Sequence, residues 1–181
     1  VPAGLLLLAH AASATAPVPA YTLWSLGSNV NGDRGNVQGA TNVGKMDYPH
    51  AVVADPLDSS NQYVTDGGNQ QIIKMANDGT TSLFIGKVQT TTESYADGLG
   101  AAARLSSPLY AAAAPDGALY FPDSSNHAIR KADPAGNVVT IAGAGPPTAT
   151  SGWVDNAAGT SARFFRPMGI VVHKKSTDAD H

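Results

Sequence analysis

The chain has no cysteine, so disulfide bridges and thiolate chemistry are excluded, although this does not fix a compartment. Charge is scarce as well: 14% of residues are charged, the formal net charge is −3, and no run of Lys or Arg exceeds the pair Lys174-Lys175. Binding to a phosphate backbone needs a basic stripe, so nucleic acid is excluded as a partner. Motifs of nucleophilic, nucleotide and zinc chemistry are missing too: there is no Gly-x-Ser-x-Gly elbow, no Walker loop and no His-Glu-x-x-His. Gly98 and Gly100 form a Gly-x-Gly pair that no long helix follows, which makes it turn chemistry rather than a phosphate cradle. The sequence calls for no cofactor and leans away from an enzyme without deciding the point.

A long apolar run is also lacking. The dense stretch Leu5-Leu6-Leu7-Leu8 continues only through small residues to Ala16 and contains His10. That is short of the roughly 20 apolar residues of a membrane-spanning helix. Residues 1–20 are similar instead to the apolar core and small-residue exit of a secretory signal peptide. Val18-Pro19-Ala20 ahead of Tyr21 offers small residues for cleavage. Ser13-Ala14 and Ala14-Thr15-Ala16 are alternatives, the last with Pro17 badly placed behind it. An initiating Met and a basic leader segment are absent, so this reading has the numbered chain starting inside a longer product. The structural alternative is a short buried strand or helix. On the leader reading the protein is secreted or displayed at the cell surface and meets a membrane only through an uncleaved leader.

What the chain does have is repetition. Its 181 residues, 43% of them hydrophobic, suffice for one ordinary domain with a sizeable core, and 19 glycines with 12 prolines imply many turns. Pro49, Pro108 and Pro167 are spaced by 59 residues (108 − 49 and 167 − 108), as are Arg104 and Arg163. Asp66 and Asp123 are 57 apart, as are Lys74 and Lys131. The two-residue difference falls in a turn, where Asp55-Pro56-Leu57-Asp58-Ser59-Ser60 is longer than Ala114-Pro115-Asp116-Gly117. A fixed period with length changes confined to turns marks a repeat architecture.

Each unit holds four short β-favouring runs, at 51–54, 62–65, 71–75 and 82–85 and again at 109–113, 119–121, 128–131 and 138–142. Gly, Asn, Asp and Pro separate them, which predicts antiparallel meanders of four strands, the blade of a β-propeller. The expected layout is a strand over 21–27, one blade over 50–86, another over 109–143, the first strand of a next blade over 168–173, and a polar tail over 174–181. Between blades lie excursions in which Ala96-Asp97-Gly98 matches Val154-Asp155-Asn156 and Arg104 matches Arg163. The predicted fold class is all-β, an open arc of a propeller rather than a closed ring. Ala111 to Ala114 would suit a helix by propensity, but register with the flanking blades assigns it to a strand. Pro122 fits only a strand end or an unpaired side.

The order Pro, first strand, Asp-Gly, Tyr-x-x-Asp, Asn126-His127-x-Ile129-Arg130-Lys131, Val139-Thr140-Ile141-Ala142-Gly143, then Ala-Asp-Gly-x-Gly-x-Ala-Ala-Arg resembles the NHL repeat over residues 21–173. The resemblance implies a propeller, commonly six-bladed, of which this chain supplies fewer than half the blades. The copy at Asn69 to Lys74 lacks the His and the Arg, and the family's Gly-Ile-Ala-Val-Asp first strand ends here in Asp55, Ala114 and His173.

Recurrence assigns structural work to Asp66, Asn69, Asp123 and Asn126, which should bond the backbone of the turns after the second strands. His127 falls in the same class through the resemblance. Arg104 and Arg163 should brace each excursion against the next blade. His50, Asp55 and His173 are the only candidates for a metal near the propeller axis, and they make at most a partial set of ligands. The loops at 87–95 and 146–154 are where binding contacts are expected, with Tyr95 and Trp153 as their aromatics.

These readings favour a non-enzymatic module that binds protein or glycan, or serves as a scaffold. Two alternatives stand beside it: part of a metal-dependent propeller hydrolase or lyase, and a truncated product without function of its own. Open sheet edges call for further blades of a longer chain or for self-association.

Overall fold

The computed structural model of the protein describes residues 6–11, 21–26, 35, 37, 45–87, 95–143, 145 and 151–173. The polar tail at 174–181, most of the loops at 87–95 and 146–150, and residues 1–5 and 12–20 of the expected leader lie outside them. Within the leader stretch, Leu6–Ala11 forms strand β1, paired antiparallel with β2, Tyr21–Leu26.

The first complete blade is a meander of β3 (Pro49–Ala54), β4 (Asn61–Asp66), β5 (Gln71–Ala76) and β6 (Thr81–Gly86), hydrogen-bonded in that order. The second follows the same plan with β8 (Ala112–Ala113), β9 (Leu119–Asp123), β10 (Ala128–Ala132) and β11 (Asn137–Ala142). The excursion between them adds a short strand, β7 (Gly98–Leu99), to the free edge of β11. It then turns through Gly100–Ala102 against β6. An outer edge that would otherwise present unpaired backbone groups is thus covered by the loop entering its own blade.

The registers follow the 57-residue offset: Asp66 faces Gln71 as Asp123 faces Ala128, and Val64 faces Ile73 as Phe121 faces Arg130. Hairpin chemistry repeats as well. The Asp78 carboxylate accepts the Thr80 amide at 2.8 Å, and the Asp133 carboxylate accepts the amides of Ala135 and Asn137 at 3.0 and 2.9 Å. Such Asx bonds let a short polar side chain stand in for a backbone partner in a tight turn.

The main core lies between the blades. Tyr63, Ile72 and Ile85 of the first meet Leu119, Phe121, Ala132 and Val138 of the second, with Ala103 and Leu105 of the excursion filled in between. Each fully buried apolar side chain of this size contributes about 1.5–3 kcal/mol. A second cluster, Met46, Val64, Ile73 and Met75, covers the other face of the first blade. Met46 occupies there the place that Leu105 takes 59 residues later (105 − 46).

Two sequence expectations need adjustment. The first strand of the second blade is only Ala112–Ala113, because a run of alanines offers little to hold against a neighbour; it is extended as register required. Residues 168–173 form no strand, since none of the described residues pairs with them. Pro122 sits one residue inside the end of β9, beyond the point at which β8 stops pairing, so it interrupts no ladder on that side. The described residues form an all-β, open arc of four-stranded propeller blades.

Candidate functional site

The recurring polar residues are mostly consumed by architecture. Asp123 is fully buried; it accepts the Ser106 amide at 2.6 Å, the Asn126 side-chain amide at 2.9 Å and the Arg130 guanidinium at 2.6 Å. Burial pushes its carboxyl up to about 6, against the downward pull of Arg130, Asn126 and the Ser106 amide. Arg130 is itself 0% exposed and also bonds the Ala96 carbonyl at 2.7 Å and Asp97 at 2.9 Å. Tyr95 closes over it, its ring 4.7 Å from the guanidinium carbon and its hydroxyl 2.6 Å from Thr140 Oγ1.

Asp66 repeats the position with other partners: the Asp47 amide at 2.8 Å, Asn69 at 2.7 Å and Gln71 at 3.1 Å, none of them a cation. Burial raises its carboxyl too, opposed by those hydrogen bonds. Asn69 spends its remaining donor on the Gly35 carbonyl at 2.7 Å.

The metal candidates are not brought together. Asp55 is buried; burial pushes its carboxyl up, but bonds from Lys74 at 3.0 Å, the Leu57 amide at 3.0 Å and the Tyr63 hydroxyl at 3.0 Å outweigh that and leave it below the ordinary value. Burial, reinforced by the same contact with Asp55, pushes the Tyr63 hydroxyl up to about 12. His50 and His173 are both exposed. Among the described residues no group of three His, Cys, Asp or Glu side chains converges on one point.

Arg104 works locally. Its guanidinium reaches the carbonyls of its own turn, including Ala102 at 3.2 Å and Ala103 at 3.1 Å, while its backbone pairs with Ala96. The link across to the second blade is instead a bond from Arg130 to the Arg104 carbonyl at 3.3 Å. Arg163 pairs with Val154 as Arg104 does with Ala96, and as Lys45 does with Val37.

His127 owes its place to backbone geometry. It has φ of 55°, the left-handed region, as does Gln70 at 59° in the first blade. Glycines enforce the approach of strand four to this turn: a Cβ on Gly143 would meet the His127 carbonyl oxygen at 2.4 Å, and one on Gly86 the Gln70 carbonyl oxygen at 2.6 Å. The imidazole then does something its counterpart cannot. Its Nδ1 accepts the Arg166 amide at 3.1 Å and its ring stacks on Phe165 with centroids 5.6 Å apart.

This leads to a cleft of about 620 Å³ at the ends of the first strands. Its lining follows the repeat: Tyr48, Ser107 and Arg166 are spaced by 59, as are His50, Leu109 and Met168, while Gly67 and Ser124 are 57 apart. Tyr48, Ser107 and Arg166 all have φ between 48° and 55°, and each precedes a proline. A non-glycine residue held in this region costs of order 1–3 kcal/mol, so the entry to every first strand is a strained elbow. The Thr65 hydroxyl, bonded to the Leu109 carbonyl at 2.6 Å, and the Ser124 hydroxyl, bonded to the Pro167 carbonyl, tie adjacent elbows together.

Geometry repeats around this cleft but identity does not. Tyr, Ser and Arg occupy one ring of positions; His, Leu and Met occupy the next. Trp153, 87% exposed, extends the lining outward, its ring 6.0 Å from that of Phe165. The sequence singled out Trp153 and His50 but missed the cleft, although the residues flanking Pro49, Pro108 and Pro167 carried its signal.

No protein-family model matches the chain, and no curated protein does. Solved structures do. An auxiliary nutrient binding protein from Bacteroides thetaiotaomicron VPI-5482 is similar at TM-score 0.62 and 27% identity, over 75% of this chain and 34% of its own. A protein of unknown function from the same organism is similar at TM-score 0.60 and 27% identity, over 74% of this chain and 31% of its own. An auxiliary nutrient binding protein from Bacteroides ovatus ATCC 8483, at TM-score 0.58 and 22% identity, matches over 81% of this chain and 36% of its own. The chain therefore spans about a third of the length of the solved structures that it resembles, and shares their fold over that third.

Proposed function

We propose that this chain belongs to a non-enzymatic binding module built from NHL-type propeller blades, secreted or surface-displayed behind the apolar leader at 1–20, that takes protein or glycan at one end of its blades. One observation carries the reading: the cleft beside Pro49, Pro108 and Pro167 is lined by structurally equivalent positions whose side chains differ in every copy. Positions that only maintain a repeat tend to repeat; positions that recognise a ligand need not. The Trp153–Phe165–His127 aromatic series along its rim supplies a stacking surface of the kind that ring-shaped ligands use. Support also comes from the 27%-identical solved structure described as an auxiliary nutrient binding protein. Tyr95 contributes less to such a surface, since Arg130 and Thr140 already engage it.

The test is retention of the purified chain on immobilised polysaccharides and on immobilised proteins, compared with a Trp153→Ala/Phe165→Ala variant. Loss of retention by about tenfold, with an unchanged thermal midpoint, is the expected result. Full retention by the double variant removes this cleft from the reading.

A further inference from the structure

The cleft has a chemical bias that narrows its ligand, on the premise that it is the binding site. Among the described residues Arg166 and His50 line it, and no Asp or Glu does. Asp47, whose carboxylate lies against Gly68, is not among the lining residues. The charge of this lining is thus opposite in sign to that of the chain, which has 14 acidic residues against 11 Lys and Arg. The rest of the lining is apolar or aromatic at Tyr48, Leu109, Phe165 and Met168, with Ser107, Ser124 and the glycines Gly67 and Gly68 between them.

Arg166 is exposed and, among the described residues, placed by its backbone rather than by ion pairing. Its left-handed conformation, with φ of 48°, and the bond from its amide to His127 fix where the side chain starts. The same stretch presents the Phe165 ring, which His127 supports from one side at an interplanar angle of 14°. A planar guanidinium beside a held aromatic face suits a ligand with a carboxylate at one end and a ring at the other.

We infer that the cleft binds a small carboxylate bearing a ring face, with the carboxylate at Arg166 and the ring against Phe165. Acidic saccharides and aromatic acids share this chemistry, and matched probes separate them. Glucuronate against glucose tests the first source; phenylacetate against phenylacetamide tests the second.

Binding of each probe is followed by calorimetry and by the indole signal of Trp153. In at least one pair the acid should bind about tenfold tighter than its neutral partner. Arg166→Gln should abolish that preference while circular dichroism and thermal midpoint stay unchanged; Arg166→Lys should retain part of it. Equal binding of acid and neutral partner, a preference that survives Arg166→Gln, or no binding of either acid at about 10 mM overturns the inference. Retention on a neutral polysaccharide that depends on Trp153 and Phe165 but shows no preference for acids would sink this inference and leave the binding reading standing. Absence of retention on any polysaccharide or protein, together with no binding of either acid, would remove both.

Discussion

The two blades place a carboxylate at the same point and satisfy it in different ways. In the second, Asp123 is ion-paired with the buried Arg130, which Asp97, the Ala96 carbonyl and the Tyr95 ring hold from the other side. In the first, Ile73 stands where Arg130 does, packed with Met46, and Gln71 provides the donor that Asp66 would otherwise lack. The position equivalent to Asp97 is Gln38, so the cation and its second counter-charge are absent together from the first blade. What the repeat holds constant is therefore a geometric requirement: an acceptor for the amide just ahead of the same blade's first strand, Asp47 in one case and Ser106 in the other. How the buried charge is compensated is left to each blade.

That contrast can be broken most forcefully at Arg130. Arg130→Met leaves Asp123 buried with neutral partners only and should cost about 3–5 kcal/mol in chemical denaturation. Gln71→Met, which removes one neutral donor from Asp66, should cost about 1.5–3 kcal/mol. Equal losses would mean that the cation is not what distinguishes the blades. The Arg130 effect should also depend on pH. Burial sets the Asp123 carboxyl at about 6, above its ordinary 3.8, so folding favours its protonated form. The stability from that protonation is complete below 3.8 and is lost as pH rises through about 6. Without the guanidinium the carboxyl is pushed higher still, so the loss measured at about pH 7.5 should shrink at about pH 5. A loss that grows on acidification contradicts this account.

The shared frame is tested next. Gly86→Ala and Gly143→Ala each force a left-handed alanine, at φ of 87° and 80°, into a carbonyl oxygen. Losses of at least about 2 kcal/mol are expected at both positions, and of similar size. A large difference would mean that the two turns are not equivalent. A transplant sharpens the comparison from the other direction. Adding Ala128→Gln to Arg130→Ile gives the second blade the first blade's solution, and should recover about 1.5 kcal/mol relative to Arg130→Ile alone.

The smallest effect concerns the left-handed pair. Gln70→Gly removes backbone strain and a side-chain oxygen that is buried without a hydrogen-bond partner among the described residues, and should gain up to about 1 kcal/mol. His127→Gly should gain nothing, because it surrenders the Arg166 bond and the Phe165 stack.

Much of this was legible in the chain itself. Asp66 and Asp123 declared a common role by spacing, and turns such as Asn77-Asp78-Gly79 announced their hairpins. Arg130 was visible only as a motif letter. Its complete burial went unread because a lone Arg in a strand is ordinarily a surface residue, and the compensating groups at Tyr95, Ala96 and Asp97 lie more than thirty positions away. His127 stood out as a histidine, yet what its position demands is left-handed backbone, which Gln70 meets equally well. The cleft stayed hidden for the opposite reason: its residues share no letter, only a place in the period.

The blades can be read from the chain alone. Short β-favouring runs and turn chemistry at a fixed period leave few other ways to bury these strands, and both are written locally. Tertiary structure alone decided which polar residues were spent inside and which were left facing solvent. That division depends on groups brought together from different repeats: Arg130 reaching back to the preceding excursion, and Tyr48, Ser107 and Arg166 meeting around one hollow. A linear chain records their identities but not their convergence, because pairing strands into adjacent blades is what closes those distances.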